Sequence, residues 1–145
     1  MTLRYDSTTG YLVPGLHQVS WSAMTALCEL NAHRSRLISG LRAAALNLHG
    51  AGCRVILLDG SFVSQKELPN DYDGAWSPVG VDPSRVDPVL LNFDNQRAAM
   101  KAKYGGELFI SSSLAAPGVL FEEFFQTDRN GNAKGILSLD LGSIT

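Results

Sequence analysis

The stretch that decides the fold is residues 53–76, CRVILLDGSFVSQKELPNDYDGAW. The aliphatic run at residues 55–58 is short and bounded by glycines, which predicts a buried strand. Gly60 and Ser61 predict a turn, because glycine adopts backbone conformations that are closed to other residues. After nine intervening residues, residues 71–76 predict a second, shorter strand.

The segment before this stretch predicts two helices after an irregular start. Residues 1–16 are interrupted by glycine and proline and predict no regular structure. Residues 20–50 carry apolar side chains at helical spacing in two successive runs, which predicts two helices. Ser20 is the expected N-cap of the first helix, and Gly50 is an expected end of the second.

Residues 53–141 are expected to form a sheet with its crossover helices. Residues 96–104, QRAAMKAKY, predict a short basic helix that ends at Gly105. The remaining predicted elements are strands at 107–111 and 135–141, a short aromatic helix at 119–125 and a turn at 128–131. The chain is therefore expected to be a single domain, 1–145, of α/β (α+β) class, with helices packed on a small mixed β-sheet.

The composition limits the class of protein. Of 145 residues, 45% are hydrophobic and 18% are charged, values typical of one globular domain. A formal net charge of −2 argues against strong DNA binding. No apolar run approaches the roughly 20 residues that cross a bilayer, and the N-terminus lacks the apolar core of a secretion signal. Cys28 and Cys53 have no metal-ligand spacing and are expected to be buried apolar residues of a cytoplasmic protein.

Two carboxylates stand one residue apart in the second predicted strand. Side chains alternate between the faces of a strand, so Asp71 and Asp73 are expected to point the same way. Two ionised carboxylates about 4 Å apart repel each other by roughly 4 kcal/mol at an effective dielectric constant near 20. Unless it is solvated, such a pair needs a proton, an arginine or a metal ion. The all-oxygen donor set suits Mg²⁺ (or Mn²⁺).

The Gly60–Ser61 turn offers a complementary anion site. Glycine lets the backbone approach a phosphate closely, and a turn that leads into a helix presents N–H groups to an anion. Lys66 either helps to bind a triphosphate or is a solvated charge on the loop. A clamp for two metal ions needs a third carboxylate, and Glu107 is the candidate because it begins a strand after a crossover helix. Asp59 is expected to brace the turn instead.

The remaining basic and aromatic side chains have simpler interpretations. Arg34 and Arg36 are expected to be surface or capping residues rather than phosphate ligands. Lys101 and Lys103 either neutralise a triphosphate or are solvated charges on a helix face. Phe125 and its aromatic neighbours are expected in the core, with base stacking as the alternative.

The order of these residues resembles the polymerase-β-like nucleotidyltransferase superfamily. Its members carry an apolar residue, Gly-Ser or Gly-Gly, a short gap, Asp-x-Asp or Asp-x-Glu, and a third acidic residue on a later strand. Gly60-Ser61, Asp71-Tyr72-Asp73 and Glu107 match this order. The sequence from about residue 13 to 141 is also similar to a family of small bacterial proteins placed in that superfamily. Gly74 departs from the pattern, where many members have an apolar residue.

The resemblance implies a fold and a set of residue roles. The fold would have the nucleotidyltransferase palm architecture. Asp71, Asp73 and Glu107 would be catalytic and would hold Mg²⁺ (or Mn²⁺), with Glu107 also helping to activate the attacking hydroxyl. Gly60 and Ser61 would bind the β- and γ-phosphates of a nucleoside triphosphate (NTP).

The implied reaction transfers a nucleoside monophosphate from the NTP to a protein or RNA hydroxyl, with pyrophosphate leaving. Small members of this superfamily often belong to toxin–antitoxin or phage-defence pairs, which implies a cognate partner protein. The alternative is a catalytically silent module of the same fold that binds a nucleotide or a partner protein. An acidic strand that is merely solvated would leave a structural or assembly role.

Overall fold

A computed structural model gives the fold and describes residue 5 and residues 11–112, 114–116, 119–120, 125–126 and 133–144. The described strands are β1 (Gly15–Val19), β2 (Val55–Asp59), β3 (Tyr72–Trp76), β4 (Gly106–Ile110), β5 (Leu114–Ala116), β6 (Val119–Leu120) and β7 (Gly135–Asp140). The described helices are α1 (Trp21–Cys28), α2 (Ala32–Gly50) and α3 (Asp94–Tyr104). The fold is of mixed α+β class, as the sequence predicts.

The main sheet has five strands in the order β1-β7-β2-β3-β4, and β5 and β6 form a separate two-stranded sheet. Strand β2 runs antiparallel to both of its neighbours, β7 and β3. Strands β1 and β7 are parallel, and so are β3 and β4. A parallel pair needs a crossover connection, and α3 supplies it between β3 and β4, which confirms the predicted crossover helix.

The two faces of the sheet are covered differently. On one face, Leu58, Tyr72 and Leu108 share a core cluster with Leu41 of α2 and Met100 of α3. On the other face, a second, smaller cluster joins Leu57, Ala75, Ile136 and Phe125. Alternate residues of β2 and β3 thus belong to different clusters, as a period of two requires. The described helices all contribute to the first cluster, so no helix of the described residues packs on the second face.

Local signals explain where the helices begin and end. The Ser20 hydroxyl caps α1 by accepting a hydrogen bond from the Ala23 amide at 3.1 Å. Helix α2 ends at Gly50, as predicted. Gly105 ends α3 in the left-handed conformation, with φ of 77°.

Two elements differ from the sequence predictions. Strand β1 begins within the segment predicted to be irregular. The sequence does not indicate this strand, because GLHQV follows a proline and lacks an apolar alternation. Its pairing partner, β7, lies far along the chain. The predicted aromatic helix at 119–125 is wrong at its start, where Val119 and Leu120 pair with β5. Residues 121–124 of that prediction and the turn predicted at 128–131 lie outside the described residues.

The two cysteines and Phe125 follow their predictions. Cys28 and Cys53 are free and buried, and both belong to the larger core cluster. Phe125 is buried in the smaller cluster on the opposite face of the sheet. Burial raises the pKa of the Cys28 thiol to about 12, which keeps it neutral and apolar in character.

Candidate functional site

Three carboxylates form a row across the face of the sheet that carries the smaller cluster. Asp73 of β3 is paired in register with Asp59 of β2 on one side and with Glu107 of β4 on the other. Paired residues of neighbouring strands present their side chains to the same face. Asp59 and Asp73 lie two residues from Leu57 and Ala75, members of the smaller cluster, so the row lies on that face. Asp71, two residues before Asp73, adds a fourth carboxylate.

The charges of this row raise one another's proton affinity. Burial raises the pKa of Asp73 to about 7, and the neighbouring carboxylates of Asp71, Glu107 and Asp59 add to the rise. The pKa of Asp71 is also raised, first by burial and then by Glu107. Burial likewise raises the pKa of Asp59, against the opposing effect of Lys134. Negative charge therefore accumulates around Asp73.

Cations occupy both ends of the row and leave its middle unpaired. The Lys134 ammonium lies 2.9 Å from Asp59 Oδ1, and both side chains are almost buried. Arg97 Nη2 and Lys101 Nζ lie 3.2 and 2.7 Å from Glu107 Oε1. In the part of the chain that the structure describes, no ion pair reaches Asp71 or Asp73.

The glycine turn lies directly against Asp73. Gly60 has φ of 80°, and a Cβ atom at this position would lie 2.7 Å from Asp73 Oδ2. Only glycine therefore combines this backbone conformation with the space beside the carboxylate. The Asp59 carboxylate accepts a hydrogen bond from the Gly60 amide, as expected of a residue that braces the turn. Ser61 follows at the start of a single 3₁₀ turn, Ser61–Val63, which no side chain caps.

Arg34 holds the loop that follows this turn, and the expectation of a surface or capping role is wrong. Its side chain is 0% exposed. The guanidinium donates hydrogen bonds of 2.5 to 3.3 Å to five main-chain carbonyl oxygens, those of Cys28, Ser61, Phe62, Ser64 and Lys66. Arg34 is buried because these oxygens converge on one point, where both Nη groups of a planar guanidinium reach them, while Nε has no hydrogen-bond partner among the described residues.

Two neighbours of Arg34 extend this hold along the loop. Asn31 caps α2 with its side-chain oxygen and donates from Nδ2 to the Glu67 carbonyl at 2.8 Å. The His33 ring hydrogen-bonds the Pro69 carbonyl through Nε2. The start of α2 thus fixes the chain between Gly60 and Asp71, and with it the distance between the turn and the carboxylates.

Lys66 is not brought to the carboxylates. The side chain is exposed, and no ion pair of the described residues includes its ammonium group. Its main-chain atoms are the part that is held, by Ser64 and Arg34. Lys103 also points elsewhere and pairs with Asp87 at 2.5 Å. The basic groups nearest the row are instead Lys134, Arg97 and Lys101.

Two of the carboxylates, Asp71 and Asp73, could serve as ligands of a divalent cation. Among the described residues, no group of three or more His, Cys, Asp or Glu side chains could hold a metal ion. Asp71 and Asp73 offer hard oxygen donors without a paired cation, and Mg²⁺ is commonly held by one or two carboxylates with water and phosphate oxygens. Glu107 does not fit a metal while Arg97 and Lys101 occupy its Oε1 atom.

Sequence reasoning missed Arg97 and Lys134 as members of the site. Lys134 has no local pattern that connects it to Asp59, and their contact depends on the pairing of β2 with β7. Arg97 and Lys101 are four residues apart, the spacing of one helix face, and that signal was available in the sequence. Lys134 also lies 5.3 Å from the ring centre of Tyr11.

A cleft of about 370 Å³ lies away from the carboxylates. Its lining includes Gln18, Arg54, Ser138 and Asp140, around the start of β2. The carboxylate row begins at Asp59, the last residue of β2. The cleft is therefore not part of the carboxylate site.

Comparison with known proteins gives one match. A family model described as "Family of unknown function (DUF6932)" matches residues 3–140. No curated protein and no solved structure matches the chain. Among the described residues, no helix has the length and apolar character needed to cross a membrane.

Proposed function

The chain belongs to the DUF6932 family, whose function is unknown, and from its site we propose that it is a metal-dependent nucleotidyltransferase of polymerase-β-like palm architecture. The observation that carries the proposal is the position of Asp73. Its carboxylate lies between two others in register, has no ion pair in the described residues and adjoins the Gly60 turn. A doubly charged cation and the triphosphate that accompanies it would complete this arrangement of charges.

Each residue of the site has a role in the proposal. Asp71 and Asp73 hold Mg²⁺ (or Mn²⁺), and Glu107 joins them once its own cations have left. Gly60 and Ser61 bind the β- and γ-phosphates, because no side chain caps the amide groups at the start of the 3₁₀ turn that follows Gly60. Lys66, exposed on the loop, meets the outer end of the triphosphate or the acceptor.

The proposed reaction transfers a nucleoside monophosphate to a protein or RNA hydroxyl. The hydroxyl oxygen bonds to the α-phosphorus, the bond to the bridging oxygen breaks, pyrophosphate leaves and the hydroxyl proton passes to a carboxylate of the row or to water. The metal ion, when bound, supplies neutralisation of the triphosphate charge. The chain contributes positioning, because Arg34 fixes the loop between the turn and Asp71.

One observation favours the alternative, a silent module that binds a nucleotide or a cognate partner protein. Glu107, the expected third ligand, already contacts Arg97 and Lys101. If these contacts persist when the nucleotide binds, the site lacks its third carboxylate. Binding without transfer is then the expected behaviour, and it would suit a member of a toxin–antitoxin or phage-defence pair that acts by recognition.

Label transfer tests the proposal. The purified protein is incubated with Mg²⁺ or Mn²⁺, with each of the four NTPs labelled at the α-phosphate, and with cell lysate as the source of acceptors. We expect transfer by the wild type and by the control Asp94→Asn, whose carboxylate is exposed at the start of α3. Asp73→Asn is expected to lower transfer by about 100-fold or more.

Two results would count against the proposed reaction. One is the absence of transfer with all four nucleotides, and the other is equal transfer by wild type and Asp73→Asn. Calorimetry with a nonhydrolysable NTP analogue and Mn²⁺ separates the two functions. Binding of the analogue without transfer supports the silent module, whereas the absence of both leaves neither function standing.

A further inference from the structure

Glu107 is held by two cations that solvent can reach. Arg97 and Lys101 both contact its Oε1 atom, while the side chain of Glu107 itself is only 14% exposed. The side chains of Arg97 and Lys101 are 29% and 39% exposed. Partly exposed ion pairs of this kind are weak and exchange partners readily. The two contacts therefore block a carboxylate without locking it.

The backbone that carries Arg97 is strained. Asn95, Gln96 and Arg97 have φ of 51°, 56° and 61°, in the left-handed region. For residues other than glycine this conformation costs about 1–2 kcal/mol each. Such a turn persists only where the contacts around it outweigh the strain, and strained turns are common in segments with two arrangements.

Aromatic contacts and Glu107 hold this strained turn in place. The Arg97 guanidinium lies 5.3 Å from the ring centre of Phe109, two residues after Glu107 on β4. Phe93, just before the turn, stacks on the same ring with centres 6.1 Å apart and an interplanar angle of 7°. The ring of Phe109 therefore contacts residues on both sides of the strained turn, two residues along β4 from Glu107.

The balance of charge predicts what would displace these cations. The described carboxylates near Asp73 are Asp59, Asp71 and Glu107, and the cations paired with Asp59 and Glu107 are Lys134, Arg97 and Lys101. A divalent cation at Asp71 and Asp73 would add two positive charges beside Glu107, the register neighbour of Asp73. It would then compete with Arg97 and Lys101 for Glu107, and the two released groups would need an anion.

We propose that Arg97 and Lys101 form a latch that holds Glu107 when no nucleotide is bound and moves to the triphosphate when a metal–NTP complex binds. The inference rests on the proposed function and adds the regulation of the same site. Arg97 offers a planar donor pair suited to phosphate oxygens, and Lys101 offers a compact point charge. The same two residues thus oppose binding of the metal alone and favour binding of the metal with its nucleotide.

Two binding measurements on three variants test the latch. The dissociation constant of Mn²⁺ alone is measured from the electron paramagnetic resonance of free Mn²⁺, and that of a nonhydrolysable NTP analogue is measured by calorimetry with Mn²⁺ in excess. The variants are Arg97→Gln, Lys101→Gln and the control Lys103→Gln. The control removes the same charge from α3, but Lys103 pairs with Asp87 and not with Glu107.

The latch predicts effects of opposite sign. Arg97→Gln and Lys101→Gln are expected to bind Mn²⁺ alone about 3-fold more tightly, because a competitor for Glu107 is gone. Both are expected to bind the nucleotide about 10-fold more weakly, because a charge-assisted contact is lost. Lys103→Gln is expected to match the wild type within about 2-fold in both measurements.

Three outcomes overturn the proposal. If both affinities move in the same direction, Arg97 and Lys101 do not exchange between Glu107 and phosphate. If Lys103→Gln behaves like Lys101→Gln, the effect comes from net charge and not from contact. If the wild type binds neither Mn²⁺ nor the nucleotide, the proposed function itself fails. The first two outcomes leave the proposed function intact.

Discussion

Replacement of Asp73 by asparagine is expected to stabilise the protein at neutral pH. Burial and the surrounding carboxylates raise the pKa of Asp73 from 3.8 to about 7. Because the folded-state pKa is above the unfolded one, the folded state binds the proton more tightly. The resulting stabilisation is complete below about pH 4 and is lost as the pH rises through about 7.

The size of the effect follows from the shift in pKa. Each pKa unit corresponds to about 1.4 kcal/mol, so the wild type is expected to lose about 4 kcal/mol of stability between about pH 4 and pH 8. Asparagine has nearly the same shape and no charge, so the variant lacks this loss. The free energies of unfolding of the two proteins should be similar near pH 4, and the variant should be more stable by about 4 kcal/mol near pH 8.

Urea unfolding in the presence of a chelator measures this difference. Trp76 of β3 is 3% exposed, so its fluorescence reports on loss of the fold. Asp94→Asn is the control and is expected to follow the wild type at every pH within about 0.5 kcal/mol. The reasoning is refuted if Asp73→Asn is less stable than the wild type near pH 8, or if the difference between them does not change with pH.

The other predictions concern the turn and the loop beside it. Arg34→Met is expected to lower the free energy of unfolding by about 3–5 kcal/mol in the same urea assay, because buried carbonyl groups lose their donors. The control Arg36→Met, at an exposed position of the same helix, should stay within about 0.5 kcal/mol of the wild type. Equal losses in the two variants would contradict the role of Arg34. Gly60→Ala is expected to cost at least about 1–2 kcal/mol, since φ is 80° and the new methyl group would meet Asp73. The control Gly50→Ala, whose new methyl group would meet no atom within 4 Å, should raise the free energy of unfolding by about 0.5–1 kcal/mol, measured by thermal unfolding. A Gly60→Ala protein as stable as the wild type would contradict the described turn.

The parts of the fold that the sequence predicts correctly depend on short-range rules. The run at residues 55–58 is apolar and lies between glycines, and it forms the first four residues of β2. The basic helix and its glycine end give the crossover, which makes β3 and β4 parallel neighbours. That pairing puts Glu107 beside Asp73, as the sequence prediction required. The use of these carboxylates for metal binding and nucleotidyl transfer stays a prediction.

The parts that the sequence does not reveal depend on contacts between distant segments. An arginine is rarely fully buried, and nothing near Arg34 in the chain indicates that carbonyl groups some 30 residues away will converge on it. The left-handed turn at residues 95–97 contains no glycine, so the local sequence does not predict it. The turn forms because Phe109 and Glu107 of the next strand hold Arg97. Lys134 reaches Asp59 only through the order of the strands.

The hydrogen bonds from the start of α2 to main-chain carbonyl oxygens have a consequence for how relatives of this protein diverge. Every amino acid carries the same main-chain carbonyl group. Substitutions at residues 65–68, whose side chains are exposed, therefore leave these hydrogen bonds unchanged. Residues 65–68 can therefore vary among relatives without a change in the position of the carboxylates. An alignment of the family should show one invariant arginine facing a segment of high variability.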